Sequence, residues 1–327
     1  MPKSQLLVSL RILYESEISK MEEIKVFCPA TIANVSCGFD VLGLALDAVG
    51  DEMIVRKTSE KGITITKILG QKLPLETNLN VSGVAGLALL EKSDYQGGFE
   101  IEIDKKIKPG SGIGSSAASS AGAVWAMNEL LGKPFSNLEL VQFAMQGEKL
   151  ASDVAHADNV APAIYGGFTL VRSYKPLDIV SIPTPSELFA TVIHPQIEIK
   201  TSDSRKILKT NITLEKGIQQ WGNVGGLIAG LFKNDYDLIG RSLEDHIVEP
   251  IRSILIPSFD DIKSNAMEVG ALGCGISGSG PSIFALSKGE NTAQAVAESM
   301  KETYRDIGIP FDIHVSKVNT EGVKRIA

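Results

Sequence analysis

Glycines alternate with other residues in the segment Pro109–Ser116, which reads PGSGIGSS. Glycine adopts positive φ at little cost and lets the backbone approach a ligand closely. The segment lies between a predicted strand and a predicted helix, so the helix start offers unpaired N–H groups and a positive dipole. These features predict a loop that binds a polyphosphate. A glycine-rich turn that merely joins a strand to an alanine-rich helix is the alternative.

The residue order in this loop excludes two common nucleotide-binding motifs. A Walker A loop has lysine after its last glycine, where this chain has Ser115. A dinucleotide fingerprint reads GxGxxG and has a later acid for the ribose, whereas this loop reads GxGxG followed by serines. The hydroxyl groups of Ser115 and Ser116 could instead contact a phosphate or a Mg²⁺ ion.

A carboxylate lies on the apolar side of a predicted helix. Glu148 follows Val141 by seven residues and Met145 by three, which continues the apolar stripe. A buried carboxylate normally has a charged partner or a metal. If this helix packs beside the glycine loop, Glu148 and Ser116 could share a Mg²⁺ ion that bridges phosphate oxygens. A frayed helix end, or a surface ion pair through Lys149, is the alternative.

Two further polar clusters could bind a substrate. Asn34 and Asp40 lie in a segment between two apolar runs, where polar groups suit ligand contact, although an Asx-rich turn would look similar. In the second cluster, the carboxylate of Asp158 and the amide of Asn159 together could hold an ammonium group. His156 precedes them, and a histidine taken alone is more often structural than catalytic.

Two arginines suit the carboxylate of an amino acid. Arg205 follows the run KTSDS, and Arg252 follows Glu249 and Pro250. A guanidinium binds a carboxylate through two parallel hydrogen bonds, although either arginine taken singly could be a surface charge. Phosphorylation of an amino acid would need three parts in one site: a group that holds the ammonium, arginines that hold the carboxylate, and a phosphate loop. The fold would have to bring these parts together.

The composition limits the class of protein. The chain has 327 residues, 43% hydrophobic and 22% charged, which is typical of a globular protein with two domains. Its net charge of −7 disfavours a nucleic-acid or membrane-surface partner. Three cysteines without CxxC or zinc-type spacing predict a reducing, cytoplasmic location. The apolar run in residues 1–20 is too short for a membrane span, and we expect these residues to be a disordered extension or the product of an upstream start codon.

Periodicity predicts the elements that must position these residues. Apolar and acidic side chains alternate over residues 99–104, which indicates a strand with one solvated face. After the glycine loop, small residues predict a closely packed helix that stops at Gly132. Ser136 and Glu139 form a predicted capping box for the helix that carries Glu148.

The second half mixes strands and helices. Strands are predicted over 189–194, 282–286 and 311–317, and helices over 203–209, 216–233, 236–246, 258–270 and 292–306, with a glycine-rich turn over GCGISGSGP. The absence of regular βαβα alternation favours an α+β fold over a doubly wound sheet. Pro and Ser between 175 and 187 suggest a boundary, so the predicted domains are residues 21–180 and 181–327.

Four motifs together resemble the GHMP kinase family. PGSGIGSSAAS resembles its phosphate loop, and GCGISGSGPSIFAL resembles the C-terminal glycine motif that packs against that loop. ATIANVSCGFDVLGLAL and HADNVAP resemble the homoserine kinase branch of the family. The matches extend from about residue 24 to residue 286. Two positions depart from the family pattern: Cys37 replaces an aliphatic residue, and Ile113 replaces the more usual leucine.

The resemblance implies an α+β fold with two domains. The N-terminal, ATP-binding domain would contain a left-handed βαβ crossover, and the C-terminal domain would be ferredoxin-like. The implied reaction transfers the γ-phosphoryl group of ATP to the side-chain hydroxyl of L-homoserine, which gives O-phospho-L-homoserine for threonine synthesis, in a homodimer. A family member that acts on a mevalonate-type alcohol, or a non-catalytic metabolite sensor, is the alternative. A nicotinamide-dependent oxidoreductase is a more distant one.

The motif matches also imply site residues. Ser116 and Glu148 would bind Mg²⁺, and Asp158, Glu148 and Arg205 would act in catalysis. Whether Asp158 is a general base stays open, because it would also hold the substrate ammonium. The implied ATP-binding residues are Asn80, Lys108, Pro109, Gly110, Ser111, Gly112, Ile113, Gly114, Ser115, Ser116, Ala117 and Ala118. The implied contacts of L-homoserine are Asn34, Asp40, His156, Asp158, Thr201, Arg205 and Arg252.

Overall fold

The computed structural model describes residues 22–152, 154–197, 199 and 201–327, except for the side chains of residues 201 and 202. The extension expected over residues 1–20 therefore lies outside the described residues. The side chain of Thr201, which was expected to contact the substrate, also lies outside them. Both expectations stay predictions.

Seven strands of the described chain form the first sheet. They are β1 (Glu23–Ala33), β2 (Leu42–Thr58), β3 (Gly62–Leu69), β4 (Gly98–Asp104), β5 (Phe168–Tyr174), β6 (Leu177–Ile182) and β11 (Lys324–Arg325). Five of them lie in the order β11-β1-β2-β4-β3, and β5 pairs with the start of β2 and with β6. The predicted alternation in β4 is confirmed: its apolar side chains are buried, and its acidic ones are partly exposed.

Helices cover one face of this sheet. They are α1 (Val81–Lys92), α2 (Ser115–Leu130), α3 (Asn137–Ser152) and α4 (Val160–Tyr165), with a short 3₁₀ turn at Thr77–Leu79. The small residues of α2 let it pack closely against β1 and β2, and α1 and α3 lie beside it. Helix α1 connects the parallel strands β3 and β4. The predicted capping box is confirmed, because the main-chain N–H of Ser136 donates to Glu139 Oε2 at 2.8 Å.

The second sheet has the strand order of a ferredoxin-like domain. Its strands are β7 (Leu188–Pro195), β8 (Gly273–Ile276), β9 (Ile283–Lys288) and β10 (Phe311–Lys317). They lie in the order β10-β7-β9-β8, and each neighbouring pair is antiparallel. The expected ferredoxin-like arrangement of the C-terminal half is confirmed by this order.

The remaining helices follow β7 and β9 along the chain. They are α5 (Thr201–Lys206), α6 (Leu214–Lys233), α7 (Tyr236–Ser242), α8 (Glu249–Arg252), α9 (Phe259–Glu268) and α10 (Glu290–Asp306), with a 3₁₀ turn at Ser253–Leu255. Helices α9 and α10 pack against the second sheet. Within the described part of the chain, no helix combines the length and apolar character that a membrane span requires.

Two predicted elements of the second half differ from the structure. The helix predicted over 236–246 stops at Ser242, because Leu243 has a ψ of 56° and so leaves the helical conformation; the Asp245 carboxylate instead accepts the N–H groups of residues 247–249, where α8 begins. The glycine-rich turn predicted over GCGISGSGP begins only after β8. Gly273 belongs to that strand because it packs against Leu243, whose Cβ would lie 2.4 Å from an added Cβ. From sequence alone, a glycine in a glycine-rich run is predicted to be part of a turn.

The boundary predicted at residue 180 falls within β6, which is the last strand of the first sheet that precedes the second sheet along the chain. The chain returns to the first sheet at its other end, where β11 pairs with β1 at Val26–Arg325 and Phe27–Lys324. The division into residues 21–180 and 181–327 stays a prediction.

A buried ion pair connects the first sheet to the start of α2. Lys105 is 2% exposed and Asp51 is fully buried, and the Lys105 ammonium donates to the Asp51 carboxylate. The same ammonium donates to the carbonyl of Ser115, the first residue of α2, at 2.6 Å. Asp51 Oδ1 also accepts the N–H groups of the two residues after Lys105, at 2.9 and 2.8 Å. These contacts fix the chain on both sides of the glycine loop.

We expect Lys105→Met to lower the free energy of unfolding by about 3–5 kcal/mol, because it leaves the Asp51 carboxylate buried without a cation. The matched control is Lys106→Met, since Lys106 forms an exposed pair with Glu52 and should lose at most about 1 kcal/mol. Urea unfolding of both variants measures the difference. Equal losses would contradict the assignment of a stabilising role to the buried pair.

Candidate active site

A cleft of about 430 Å³ is lined by the glycine loop, the β1–β2 loop, the end of α3, the segment before α4, the α5 region, the end of α8 and the turn before β9. It brings together residues that are far apart in the sequence. The predicted site residues that line it are Asn34, Asp40, Pro109, Gly110, Gly112, Gly114, Ser115, Ser116, Glu148, His156, Asp158, Arg205 and Arg252.

The glycines of the loop are needed for different structural reasons. Gly110, Gly112 and Gly114 have φ of +75°, +84° and +68°, in the left-handed region that favours glycine. A Cβ at Gly112 would lie 2.7 Å from the carbonyl oxygen of Gly280, and one at Gly114 would lie 2.0 Å from Thr31 Oγ1. A Cβ at Gly110 would meet no described atom within 4 Å. Gly112 and Gly114 therefore allow close packing, whereas Gly110 lies in open space beside the cleft.

The turn at residues 277–280 holds two parts of the site. Ser277 Oγ donates to the carbonyl of Gly112 at 2.8 Å, which fixes the glycine loop. Asn34 Nδ2 donates to the carbonyl of Gly278 at 2.8 Å, which fixes the β1–β2 loop. The expected packing of the C-terminal glycine motif against the phosphate loop is confirmed by these contacts.

The two serines at the start of α2 differ in their surroundings. Ser115 Oγ donates to the carbonyl of Ile107 at 3.0 Å, so its hydroxyl has an internal partner. The hydroxyl of Ser116 lies near the carboxylate of Glu148, which is 6% exposed. Burial raises the pKa of Glu148 to about 7, and the neighbouring Ser116 and Lys105 oppose that rise.

The pair formed by Ser116 and Glu148 fits a divalent cation. Glu148 Oε1 is buried and has no hydrogen-bond partner among the described residues. A buried carboxylate oxygen without a partner is costly, and a bound cation would remove that cost. Mg²⁺ prefers oxygen ligands and is often held by one or two protein groups together with phosphate oxygens and water.

Asp40 and Asp158 make one end of the cleft acidic. Asp158 is 4% exposed. Burial, followed by the charges of Asp40 and Glu148, raises the pKa of Asp158 to about 7. Three carboxylates around one cleft repel one another, so a cationic substrate group or a metal ion would lower the electrostatic free energy here.

Arg205 pairs with Asp40 at the same end. Arg205 Nη2 donates to both carboxylate oxygens of Asp40 at 2.8 Å, and it lies 3.2 Å from His156 Nε2. Burial lowers the pKa of His156 below its ordinary value, which favours the neutral ring at pH 7. Two groups that were expected to contact the substrate thus contact each other in this structure.

Arg252 lies beside Arg205, and the ring of Phe39 contacts both. Arg252 is 3% exposed and donates to the carbonyl of Ser204 at 3.1 Å and to that of Gly278 at 3.3 Å. The guanidinium carbons of Arg252 and Arg205 lie 5.1 and 5.4 Å from the centre of the Phe39 ring. Burial and the charge of Arg205 lower the pKa of Arg252 to about 10. Two adjacent guanidinium groups suit an anionic substrate group.

Six predicted ATP-binding residues do not line the cleft: Asn80, Lys108, Ser111, Ile113, Ala117 and Ala118. Asn80 caps α1, since its side chain accepts the N–H of Ser82 at 2.9 Å. Lys108 Nζ donates to Gln196 Oε1 at 2.7 Å. The other four are buried, Ser111 and Ile113 within the loop and Ala117 and Ala118 in the first turn of α2.

Sequence reasoning missed several residues that line the cleft. They are Phe39, Ala151, Ser152, Ile199, Gly278 and Ser279. Phe39 directly precedes Asp40 in a polar segment. A lone aromatic residue in such a segment is the sequence signal that could have identified it as a residue of the cleft. Asn159 was expected to assist Asp158, but its Oδ1 accepts a hydrogen bond from Thr31 Oγ1 at 2.7 Å.

Comparison with known proteins identifies the family. The model of the GHMP kinases N terminal domain matches residues 80–167, and that of the GHMP kinases C terminal matches residues 227–306. The chain belongs to the GHMP kinase family. The predicted resemblance and the α+β fold with two domains are therefore confirmed.

Relatives of this GHMP kinase match over nearly its whole length. A homoserine kinase of Chlorobium phaeobacteroides is 48% identical over 318 residues, which cover 93% of this chain and 99% of the relative. A crystal structure of homoserine kinase from Cytophaga hutchinsonii superposes with a TM-score of 0.90 at 54% identity, covering 94% of this chain and 98% of that one. A galactokinase of Lactococcus lactis shares the fold alone, with a TM-score of 0.68 at 16% identity over 97% of this chain and 100% of that one.

We expect Gly112→Ala to destabilise this GHMP kinase more than Gly110→Ala does. At Gly110 the methyl group meets open space, so the cost is that of the left-handed backbone, about 1–2 kcal/mol. At Gly112 the methyl group also collides with the carbonyls of Ser277 and Gly280, so the loop must separate from the turn. Urea unfolding of the ligand-free variants measures the difference. Equal losses would contradict the packing role of Gly112.

Proposed function

We propose that this GHMP kinase transfers the γ-phosphoryl group of ATP to the side-chain hydroxyl of L-homoserine. The products are ADP and O-phospho-L-homoserine, a precursor for threonine synthesis. The observation that carries the proposal is one cleft that joins the glycine loop to two buried acids and two adjacent arginines. The relatives named homoserine kinase support the same substrate.

The glycine loop would hold the polyphosphate of ATP. Its open face at Gly110 and the N-terminus of α2 offer main-chain N–H groups and a positive dipole to phosphate oxygens. Ser116 and Glu148 would hold Mg²⁺, which when bound neutralises charge on the phosphates. Among the described residues no three acidic, histidine or cysteine side chains lie close enough together to hold a metal ion, so phosphate and water would complete the coordination.

The other end of the cleft would hold the amino acid. Arg205 and Arg252 would bind the carboxylate of L-homoserine, and Asp40 and Asp158 would bind its ammonium group. Phosphoryl transfer depends mainly on in-line positioning and charge neutralisation, so holding both groups would aim the hydroxyl at the γ-phosphate. We assign Asp158 to the ammonium, and in this assignment the hydroxyl proton passes to the transferred phosphate. We further propose a cytoplasmic homodimer, which the family resemblance supports.

We expect L-homoserine to be preferred over L-serine and over mevalonate in an assay that couples ADP release to NADH oxidation. L-Serine is one methylene shorter, a change that typically costs about 10–200-fold in kcat/KM. Mevalonate lacks the ammonium group, which would leave the buried acids without a partner. Preferred turnover of mevalonate would contradict the proposal. Absence of ADP release with any of the three would favour a non-catalytic sensor.

We expect Asp158→Asn to raise KM for L-homoserine at least about 10-fold with a smaller change in kcat, because it removes a charge that binds the ammonium. KM for ATP should stay unchanged. Asp178→Asn is a matched control, since Asp178 forms an exposed pair with Arg172. A fall in kcat at constant KM would instead assign Asp158 the role of general base.

A further inference from the structure

Tyr174, at the end of β5, contacts two segments that carry acids of the cleft, although it does not itself line the cleft. Its hydroxyl donates to the carbonyl of Asp40 at 3.0 Å. The same hydroxyl accepts the N–H of Ala157, the residue before Asp158, at 3.3 Å. One oxygen atom therefore joins the main chain at Asp40 to the main chain beside Asp158.

The Asp40 segment needs such a contact because its backbone is strained. Asn34, Val35, Ser36 and Asp40 have φ of 70°, 44°, 61° and 60°. These values lie in the left-handed region, which is costly for residues other than glycine and persists only where surrounding contacts enforce it. Asp40 is held on both sides: its N–H donates to Asn34 Oδ1 at 2.9 Å, and its carbonyl accepts from Tyr174.

Electrostatic repulsion between Asp40 and Asp158 is a second reason for a contact that joins their segments. Asp40 and Asp158 line one cleft, and the charge of Asp40 contributes to the raised pKa of Asp158. The ion pair of Asp40 with Arg205 reduces this repulsion, and the Tyr174 hydroxyl joins the two segments that carry the carboxylates. Burial raises the pKa of Tyr174 above its ordinary value, so its hydroxyl keeps the proton that it donates to Asp40.

Another side chain holds the same segment from a different side. Gln220 Nε2, on α6, donates to the carbonyl of Cys37 at 2.7 Å and to Asp245 Oδ1 at 3.0 Å. This contact fixes the middle of the segment to the C-terminal half of the fold. It acts on Cys37, whereas the Tyr174 hydroxyl acts on Asp40 itself and on the main chain next to Asp158.

We propose that Tyr174 is a positioning residue that sets the spacing of Asp40 and Asp158, and thereby the preference of the enzyme for alcohols that carry an ammonium group. The inference rests on the proposed function. It assigns selectivity for the amino group to a hydroxyl outside the cleft, which acts through the main chain of Asp40 and of Ala157, the residue before Asp158.

Tyr174→Phe tests the inference, because it removes the hydroxyl and keeps the ring. Steady-state kinetics would compare L-homoserine with 4-hydroxybutyrate, the same molecule without its amino group. The loss of hydrogen bonds of this kind should raise KM for L-homoserine about 3–10-fold. KM for ATP and kcat/KM for 4-hydroxybutyrate should stay unchanged, so the preference for the amino compound falls by the same factor.

Tyr95→Phe is the matched control. Tyr95 also donates its hydroxyl to a main-chain carbonyl, that of Thr58 at 3.2 Å, and it does not line the cleft. Its kinetics should equal those of the wild type with both alcohols. The unfolding temperature of each variant shows whether the fold is kept.

The outcomes separate this inference from the proposed function. If Tyr174→Phe keeps the wild-type preference for L-homoserine, the inference is overturned and the proposed function stands. An equal loss with both alcohols, or an unfolded variant, would assign Tyr174 to general stability and overturn the inference. A wild-type enzyme without preference for L-homoserine over 4-hydroxybutyrate would overturn both.

Discussion

Main-chain contact between the glycine loop and the turn at residues 277–280 organises this molecule. The loop belongs to the first sheet and its helices, and the turn leads into β9 of the second sheet. Because a Cβ at Gly112 would collide with Gly280, the two segments approach as closely as backbones can. In the same turn, the carbonyl of Gly278 accepts a hydrogen bond from Asn34 Nδ2 of the β1–β2 loop. The glycine loop and the β1–β2 loop are thus both fixed to one short segment.

Electrostatics within the cleft follow from this arrangement. Glu148, Asp158 and Asp40 converge from three segments, and burial raises the pKa of the first two to about 7. Arg205 and Arg252 supply opposite charge, with the ring of Phe39 between them. A cleft lined by both carboxylates and guanidinium groups suits a zwitterion, and the buried, unpartnered oxygen of Glu148 suits a cation beside a polyphosphate.

Many of the residues that line the cleft could be predicted from local sequence. The orientation and the partners of their side chains could not. The glycine loop, Glu148, Asp158 and both arginines were identified because their residue types and contexts are unusual. The motif match selected Ser116 rather than Ser115 for the metal but gave no physical reason, which lies in the packed helix: adjacent helical residues point about 100° apart, and Ser115 Oγ donates to the carbonyl of Ile107. The motifs also did not reveal that Asp40 pairs with Arg205, or that Asn80 caps a helix, because such partners lie elsewhere along the chain or serve the backbone.

The return of β11 to the first sheet has a consequence for folding during synthesis. Among the described residues, β11 lies on the outer edge of β1, so this edge stays open on the ribosome until residues 324 and 325 emerge. An open strand edge is a template for pairing with other chains. The four strands of the second sheet precede β11 along the chain, so they are synthesised before Val26 and Phe27 of β1 receive their partners in β11.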